Sequence, residues 1–297
     1  MTDIGPRRKT PLTDPVTLTA ARDGFIRTHP ERHERVNGRD WGTIAIGHSG
    51  PALVLIPGTL GRADIFWQQM QALEGQARIL ALSYPAEGGV TDWAEDVMAL
   101  CAAHGLARPV ILGSSLGGYL AQYVTARHPD RVAGLVAANT LPSARGLDRV
   151  PPYAFDLLNT PIETLRAGFT DGLRRWTKGG HPYCELAGLL LAEVDGRIPE
   201  AELRARLQAL KTAPDLPAQT VPRDRVFTIE SDDDHLIAPP VRAALRTALS
   251  PARAYCFEMA SHFPYVTRPD SYTAILREVL GLDAPGTIWP AGTEARL

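Results

Sequence analysis

The chain has 297 residues, a formal net charge of −2 and 44% hydrophobic residues. This length suits one large α/β domain with a single extensive core and room for an inserted segment. A near-neutral charge gives no support to nucleic-acid binding, which needs a basic patch. No apolar run is long enough to cross a bilayer, and no apolar stretch follows the basic residues near the start, as it would in a secretory signal. We therefore expect a soluble, cytoplasmic protein that binds no nucleic acid and does not span a membrane.

The residue spacing gives no sign of a metal or cofactor. Cys101, Cys184 and Cys256 are widely separated, without a CxxC or a Cys/His pair at metal spacing, and are expected to be reduced thiols. The chain contains no HExxH, no P-loop and no dinucleotide-binding glycine pattern. We expect no metal and no cofactor.

Strand and helix patterns alternate through the first half of the chain. Residues 1–21 are rich in Pro and Thr without a clear period and are predicted to be an irregular arm. Pro51–Pro57 is a continuous apolar run, which is typical of a strand buried on both faces of a parallel sheet. The other predicted strands are Arg32–Asn37, Trp41–Gly47, Ala77–Ser83, Pro109–Gly113 and Val132–Ala138, and the predicted helices are Ala63–Leu73, Asp92–His104 and Leu116–Arg127.

The pattern changes at about Leu141, after the sixth predicted strand. Residues 141–215 show helical segments and no convincing strand, which indicates a helical cap inserted into a core formed by residues 22–140 and 216–282. The predicted cap helices are Tyr153–Leu158, Ile162–Trp176, Tyr183–Val194 and Glu200–Leu210. Alternation resumes with the strand Arg225–Ile229, the helix Pro240–Leu249, the strand Arg253–Phe257 and the helix Asp270–Leu280. The fold class is therefore α/β, with a doubly wound, mostly parallel sheet, and residues 283–297 are expected to form an irregular tail.

The strongest chemical signal is the segment Gly113-Ser114-Ser115-Leu116-Gly117. It follows a predicted buried strand directly and opens a helix, which is the strand–turn–helix setting of a nucleophile elbow. Glycines on both sides leave room for the tight turn, and the helix directs its positive end at the site of developing negative charge. We predict Ser115 as the nucleophile. Ser114 lies one residue too early, and the alternative is a plain Ser/Gly turn without chemistry.

A serine hydroxyl needs a base, and after such an elbow the acid and then the histidine follow along the chain. His262 comes after the last predicted strand and before the last helix, so we predict it as the base. Asp234 is the preferred acid because Pro239, Pro240 and a helix follow it closely, with Asp233 as second choice. The spacing alone does not choose among the adjacent aspartates, and an acid one strand earlier would fall near the uncharged Asn139.

An oxyanion hole needs two backbone N–H groups directed at the tetrahedral intermediate. Leu116, directly after the nucleophile, is predicted to supply one of them. The other is expected from the loop Pro57–Gly61, with Thr59 preferred and Leu60 next. Backbone donation does not require the His-Gly pair that often occurs at this point of the chain.

These motifs together resemble the α/β-hydrolase superfamily over most of the chain. Within it, four short segments resemble maspardin-like proteins: Gly113–Gln122, Ala63–Trp67, Ala81–Pro85 and Phe263–Val266. The resemblance implies the α/β-hydrolase fold. It also implies an alternative function, because maspardin is regarded as a binding partner of other proteins and lacks the late histidine. His262 is present here, immediately before Phe263.

The predicted function is hydrolysis of a carboxylic ester, lactone or thioester through an acyl-serine intermediate. The alternatives are a non-catalytic binding protein and a carbon–carbon bond hydrolase, which uses the same residue types. In the cap, Phe155, Phe169 and Trp176 are predicted to line the site for a small-molecule acyl substrate, with packing of the cap onto the body as the alternative for each. A homo-oligomer is left open.

Overall fold

The computed structural model describes residues 16–178, 180–284 and 294–296. Within these ranges the strands form one sheet and are β1 (Arg32–Val36), β2 (Arg39–Ile46), β3 (Ala52–Ile56), β4 (Arg78–Ser83), β5 (Val110–Ser114), β6 (Gly134–Ala138), β7 (Val226–Ser231), β8 (Arg253–Phe257) and β9 (Glu294–Arg296). Their order across the sheet is β1-β2-β4-β3-β5-β6-β7-β8-β9. Strands β1 and β2 are antiparallel to their neighbours, and β3 to β9 run parallel.

Helices cover both faces of this sheet. They are α1 (Leu18–Thr28), α2 (Trp67–Leu73), α3 (Val90–Ala103), α4 (Leu116–Arg127), α5 (Ile162–Trp176), α6 (Cys184–Ala192), α7 (Glu200–Lys211), α8 (Pro239–Leu249), α9 (Pro264–Thr267) and α10 (Pro269–Val279). Every residue of β3, β5 and β6 is buried. Burial on both faces explains why these strands are continuous apolar runs rather than alternating ones.

The central parallel strands end at the same edge of the sheet and place their following loops close together. Ser115 follows β5, Asn139 follows β6, and the acidic residues 232–234 follow β7. Between β6 and β7, residues 141–215 contribute α5, α6 and α7 and, in their described part, no strand to the sheet. We call residues 141–215 the helical insertion. The predicted doubly wound, mostly parallel sheet with a helical insertion after the sixth strand is confirmed.

The first correction concerns the N-terminal arm, which was expected to be irregular as far as residue 21. Helix α1 begins at Leu18, and the Thr17 side chain caps it by accepting a hydrogen bond from the Ala20 N–H at 3.2 Å. The Arg22 side chain is buried and donates to Glu193 of the helical insertion at 2.5 Å. The helix is stabilised by this distant partner, which a local apolar pattern does not reveal. Residues 1–15 lie outside the described ranges.

The second correction concerns Tyr153–Leu158, which forms turns instead of the predicted helix. The Asp156 carboxylate accepts hydrogen bonds from the N–H groups of Leu158 at 3.2 Å and Asn159 at 3.3 Å. It also accepts from the Asn159 side-chain amide at 2.7 Å. Such local side-chain bonds give the backbone an alternative to the helix, so this segment forms turns although its apolar spacing is helical.

The third correction concerns the C-terminal tail. Glu294–Arg296 forms β9, which pairs with β8 in parallel register from Ala254 with Glu294 to Cys256 with Arg296. Three residues without alternating hydrophobicity give no strand pattern, but an open sheet edge offers backbone partners to any extended segment. Residues 285–293 lie outside the described ranges. Among the described helices, none combines the length and the apolar character that a membrane span needs.

Candidate active site

Ser115 lies in the sharp turn between β5 and α4. Its backbone has φ 55° and ψ −119°, a region that non-glycine residues rarely adopt and that costs on the order of 1–3 kcal/mol. Besides the helical bond from the Tyr119 N–H, two hydrogen bonds hold the strained residue: its N–H donates to the Ala138 carbonyl at 2.9 Å, and its carbonyl accepts from the Thr140 hydroxyl at 2.7 Å. Both partners follow or end β6, the neighbouring strand, so the sheet itself maintains the turn.

The glycines of the motif are required by close backbone approaches. A Cβ on Gly113 would lie 1.9 Å from the Gly117 carbonyl oxygen, and a Cβ on Gly117 would lie 2.2 Å from the Ile56 carbonyl oxygen. Both distances are far below van der Waals contact, so a side chain at either position would open the turn. The geometry at Ser115 is the one that an elbow needs to present a serine at the head of a helix.

Asp234 and His262 are brought together by the loops after β7 and β8. The Asp234 Oδ2 atom lies 2.8 Å from His262 Nδ1, and both side chains are buried. The same Oδ2 accepts from the Asn139 amide at 2.9 Å, while Oδ1 accepts from the N–H groups of Leu236 at 2.8 Å and Ile237 at 3.0 Å. Burial opposes ionisation of this carboxyl, but the charge of His262 and these hydrogen bonds outweigh it and lower the pKa of Asp234 to about 2. The carboxylate is therefore ionised at neutral pH and fixes the His262 ring.

The neighbouring aspartates have different surroundings. Asp233 accepts from the N–H groups of Ala260 at 3.0 Å and Ser261 at 2.8 Å through Oδ1, and from the Tyr183 hydroxyl at 2.5 Å through Oδ2. It thus anchors the turn before His262, where Ser261 has a positive φ of 56°. Asp232 is exposed. The three adjacent carboxylates, which the sequence alone did not separate, therefore differ sharply in their contacts.

The loop after β3 lies directly against Ser115. A Cβ on Gly58 would be 3.1 Å from the Ser115 Cβ, so the backbone of this loop borders the serine. Thr59 is partly buried, and Leu116 is fully buried at the first position of α4. The N–H of Leu116 belongs to the first turn of α4, where N–H groups have no partner within the helix. Of the two predicted oxyanion donors, Leu116 therefore follows Ser115 directly at the start of α4, and Thr59 lies on the loop that borders Ser115.

The aromatic residues predicted to line a substrate site have three different environments. Phe155 is exposed, and Phe169 is partly buried and packs against the larger hydrophobic core. Trp176 lies near the acid loop, since its ring centroid is 5.2 Å from that of His235, and it also contacts Tyr183 at 5.5 Å. Of the three, Trp176 is the one with a described contact to a neighbour of Asp234.

Several residues around these groups were not predicted from the sequence. Asn139 was considered only as a position without an acid, yet its amide contacts the Asp234 carboxylate. Thr140 holds the Ser115 carbonyl, and Tyr153 of the helical insertion lies beside the Thr59 side chain. A polar residue directly after a buried strand, as in Asn139-Thr140 after β6, is the signal that points to the first two. Among the described residues, no group of His, Cys, Asp and Glu is arranged to hold a metal ion.

A family model described as the α/β-hydrolase fold matches residues 51–202, just over half of the chain. The chain therefore belongs to the α/β-hydrolase fold family. The matched range includes the predicted oxyanion loop, the Ser115 elbow and most of the helical insertion.

The chain is also similar to individual proteins of this fold. The pimeloyl-[acyl-carrier protein] methyl ester esterase of Vibrio vulnificus is 25% identical over 237 residues, which are 75% of this chain and 91% of that enzyme. Maspardin of Danio rerio is 34% identical over 125 residues, 39% of this chain and 40% of that protein. The crystal structure of the enol-lactonase of Burkholderia xenovorans superposes with a TM-score of 0.69 at 23% identity, over 84% of this chain and 100% of that one. The similarity to the esterase, together with the family, supports a hydrolase, and the enol-lactonase structure shows the same fold.

Proposed function

We propose that the protein is a serine hydrolase that cleaves a carboxylic ester, lactone or thioester through an acyl-Ser115 intermediate. The observation that carries the proposal is the 2.8 Å contact between Asp234 Oδ2 and His262 Nδ1 at the sheet edge where Ser115 occupies a strained elbow. A buried, ionised carboxylate on Nδ1 selects the tautomer in which Nε2 is free to accept a proton.

The proposed reaction has two halves. Ser115 Oγ attacks the acyl carbon while its proton passes to His262 Nε2, and the carbonyl oxygen becomes an oxyanion that the N–H groups of Thr59 and Leu116 bind. The C–O or C–S bond to the leaving group breaks, and the leaving group takes the proton from His262. Water then attacks the acyl carbon of the acyl-serine and gives a proton to His262. The bond between this carbon and Ser115 Oγ breaks, and Oγ takes the proton back from His262, which releases the carboxylic acid and restores the free serine.

The positive end of α4 strengthens this arrangement. Its first-turn N–H groups and the helix dipole favour negative charge at the point where the oxyanion forms. No cofactor or metal takes part in the proposed steps. The acyl class is supported by the similarity to the Vibrio vulnificus methyl ester esterase, of which this chain covers 91%. We propose residues 141–215 as the cap that bounds the acyl site, with Trp176 as the cap aromatic nearest to the acid loop.

The test is to replace Ser115 with alanine and measure p-nitrophenyl ester turnover and labelling by a fluorophosphonate. We expect both to be lost, because the phosphorus reagent and the ester react with the same oxygen. The matched control is Ser114→Ala, which removes a hydroxyl one residue away and should keep the labelling. Circular dichroism and the thermal unfolding midpoint should show that both variants fold. Unchanged labelling of Ser115→Ala would rule out the acyl-serine mechanism, and absence of labelling and turnover in the wild type would favour a binding protein.

A further inference from the structure

Helix α7 of the helical insertion carries a fully buried arginine that contacts the predicted oxyanion loop. Arg206 has 0% exposure, and its Nη1 donates to the carbonyl oxygens of Thr59 and Gly61, each at 2.9 Å. It pairs with Glu202, one turn earlier on α7, at 2.8 Å. Glu202 also pairs with Arg62 at 3.0 Å, and Arg62 pairs with Glu31 at 2.5 Å, so the two arginines and two glutamates form one network. Burying a guanidinium is expensive unless it is paired and hydrogen-bonded. A buried, paired guanidinium therefore holds two backbone carbonyls of this loop.

Two other carbonyls of this loop also accept hydrogen bonds. The Tyr84 hydroxyl donates to the Pro57 carbonyl at 2.7 Å, and the Gly61 N–H donates to the Gly58 carbonyl at 3.1 Å. The Arg206 guanidinium lies over the Tyr84 ring, 5.2 Å from its centroid, so these two side chains form one support. Four successive or near-successive carbonyls, those of Pro57, Gly58, Thr59 and Gly61, are thus fixed in direction.

Fixing a carbonyl fixes the N–H of the next residue. In a trans peptide the C=O and N–H groups point in opposite directions within one plane. The Gly58 carbonyl therefore sets the N–H of Thr59, and the Thr59 carbonyl sets the N–H of Leu60, which are the first and second choices for the oxyanion donor. The Arg206 cation on the Thr59 carbonyl also polarises the Thr59–Leu60 peptide and strengthens the Leu60 N–H as a donor.

A small displacement of this loop should affect the reaction, because the loop lies close to Ser115. Its Gly58 backbone borders Ser115, with 3.1 Å between a Cβ placed on Gly58 and the Ser115 Cβ. Oxyanion donors act at about 2.7–3.1 Å from the developing charge, and a displacement of about 1 Å can cost roughly 100-fold in rate. A support that holds this loop thus acts on the transition state more than on the bound substrate.

We propose that Arg206 is a positioning residue that holds the oxyanion loop in its catalytic geometry from the helical insertion. The insertion thereby contributes to the rate of the chemical step as well as to the substrate site. This inference rests on the proposed serine hydrolase function. It assigns no contact between Arg206 and the substrate.

Helix α7 provides a matched control for the test. Arg204 lies on the same helix, donates to the backbone carbonyl of Leu157 at 2.6 Å, and pairs with Glu200 one turn earlier at 2.7 Å. It therefore makes the same kinds of contact as Arg206, with a carbonyl outside the oxyanion loop. Arg206→Met and Arg204→Met each remove one guanidinium and one intrahelical ion pair. Arg206→Met also frees the carbonyls of Thr59 and Gly61, and Arg204→Met frees the carbonyl of Leu157.

The experiment measures kcat and KM for p-nitrophenyl butyrate, counting active sites by the end point of fluorophosphonate labelling. We expect Arg206→Met to lower kcat per active site by about 10- to 100-fold with little change in KM, and Arg204→Met to stay near the wild type. A butyl trifluoromethyl ketone, whose serine adduct carries an oxyanion, should bind Arg206→Met more weakly by a similar factor. Arg206→Lys keeps a donor and a charge, and should recover part of kcat.

The outcomes separate this inference from the proposed function. If the wild type neither turns over the ester nor is labelled, the proposed function fails. If the wild type is active and Arg206→Met matches Arg204→Met in kcat per active site and in ketone affinity, the positioning role is refuted. A loss confined to the number of active sites or to the unfolding midpoint would likewise show a purely structural role. Should Arg206→Met fail to fold, the same two measurements on Arg206→Lys decide. A joint loss of kcat per active site and of ketone affinity would support the positioning role, and wild-type values of both would refute it.

Discussion

The loops that carry the proposed catalytic groups are held in two different ways. On the histidine side, Asp234 is fixed by His262, by Asn139 at the end of the neighbouring strand, and by backbone N–H groups of its own loop. On the oxyanion side, the Thr59 carbonyl is held by Arg206, which lies 147 positions further along the chain in the helical insertion. The histidine side is thus built from the carboxyl edge of the sheet, while the oxyanion side depends on the insertion.

This difference has a consequence for how substitutions act. A change on the histidine side removes a charge or a proton acceptor at the site and should cause a large loss that leaves the insertion unaffected. A change in the insertion acts through the loop that it supports, so its effect should be smaller and should fall on transition-state binding. The insertion touches the histidine side as well, through Tyr183 and Asp233, and this contact offers a direct comparison with Arg206.

The largest effect is expected from Asp234→Asn. The amide keeps the shape of the side chain but cannot stabilise the imidazolium or select the His262 tautomer, so we expect kcat for ester hydrolysis to fall by about 1,000- to 10,000-fold. Asp232→Asn changes an exposed neighbour in the same way and should leave kcat within about two-fold of the wild type. Steady-state kinetics on the two purified variants checks the prediction. Equal activities of the two variants would show that Asp234 is not the acid.

The histidine side is also the part of the proposed site whose placement follows most directly from the predicted strand order. The order Ser115, Asp234, His262 follows from parallel strands that end at one sheet edge, so strand positions alone bring these loops together. The choice among the adjacent aspartates depended on a following Pro and helix. The sequence did not reveal which groups bind the Asp233 carboxylate. That carboxylate binds the N–H groups of Ala260 and Ser261, a contact between two loops that no local pattern encodes.

The oxyanion side and the helical insertion were predicted less completely for a physical reason. Their contacts join residues that are far apart in the chain, as between Arg206 and Thr59 or between Arg22 and Glu193. From the sequence alone, an arginine on a helix is expected to be exposed, because charged side chains are rarely buried unless they are paired. Its burial becomes understandable only when its partner is known. The helix predicted at Tyr153–Leu158 was wrong for a different reason, because the Asp156 side chain competes locally for the backbone N–H groups.

A second prediction concerns the stability that the Asp234 carboxylate contributes. Its folded pKa of about 2 lies below the ordinary aspartate pKa of 3.8, so the unfolded chain binds this proton more tightly than the folded one. The carboxylate therefore stabilises the fold above about pH 4, and this contribution, about 2 kcal/mol, is lost as the pH falls through about 2. Urea unfolding of the wild type and Asp234→Asn at several pH values measures the difference in unfolding free energy.

We expect that difference to shrink by about 2 kcal/mol between pH 5 and pH 2, because only the wild type has this carboxyl to protonate. Asp232→Asn serves as the control, and its difference from the wild type should change much less over the same range. A constant difference for Asp234→Asn across the range would contradict the ionised state assigned to Asp234. If the difference in unfolding free energy changed with pH equally for both variants, the effect would come from the net charge of the protein and not from the contact with His262.

The smallest effect is expected from Tyr183→Phe, which tests the contact of the insertion with the histidine side. The Tyr183 hydroxyl donates to Asp233 Oδ2 at 2.5 Å, but Oδ1 of the same carboxylate keeps its bonds to the N–H groups of Ala260 and Ser261. Removal of one partly exposed hydrogen bond to a charged group should cost about 1 kcal/mol of unfolding free energy and lower kcat by no more than about five-fold. Arg206→Met, which frees two carbonyls of the oxyanion loop, should lower kcat more. Kinetics and urea unfolding of the two variants side by side give the comparison, and a larger loss of kcat in Tyr183→Phe than in Arg206→Met would show that the insertion acts mainly through the histidine side.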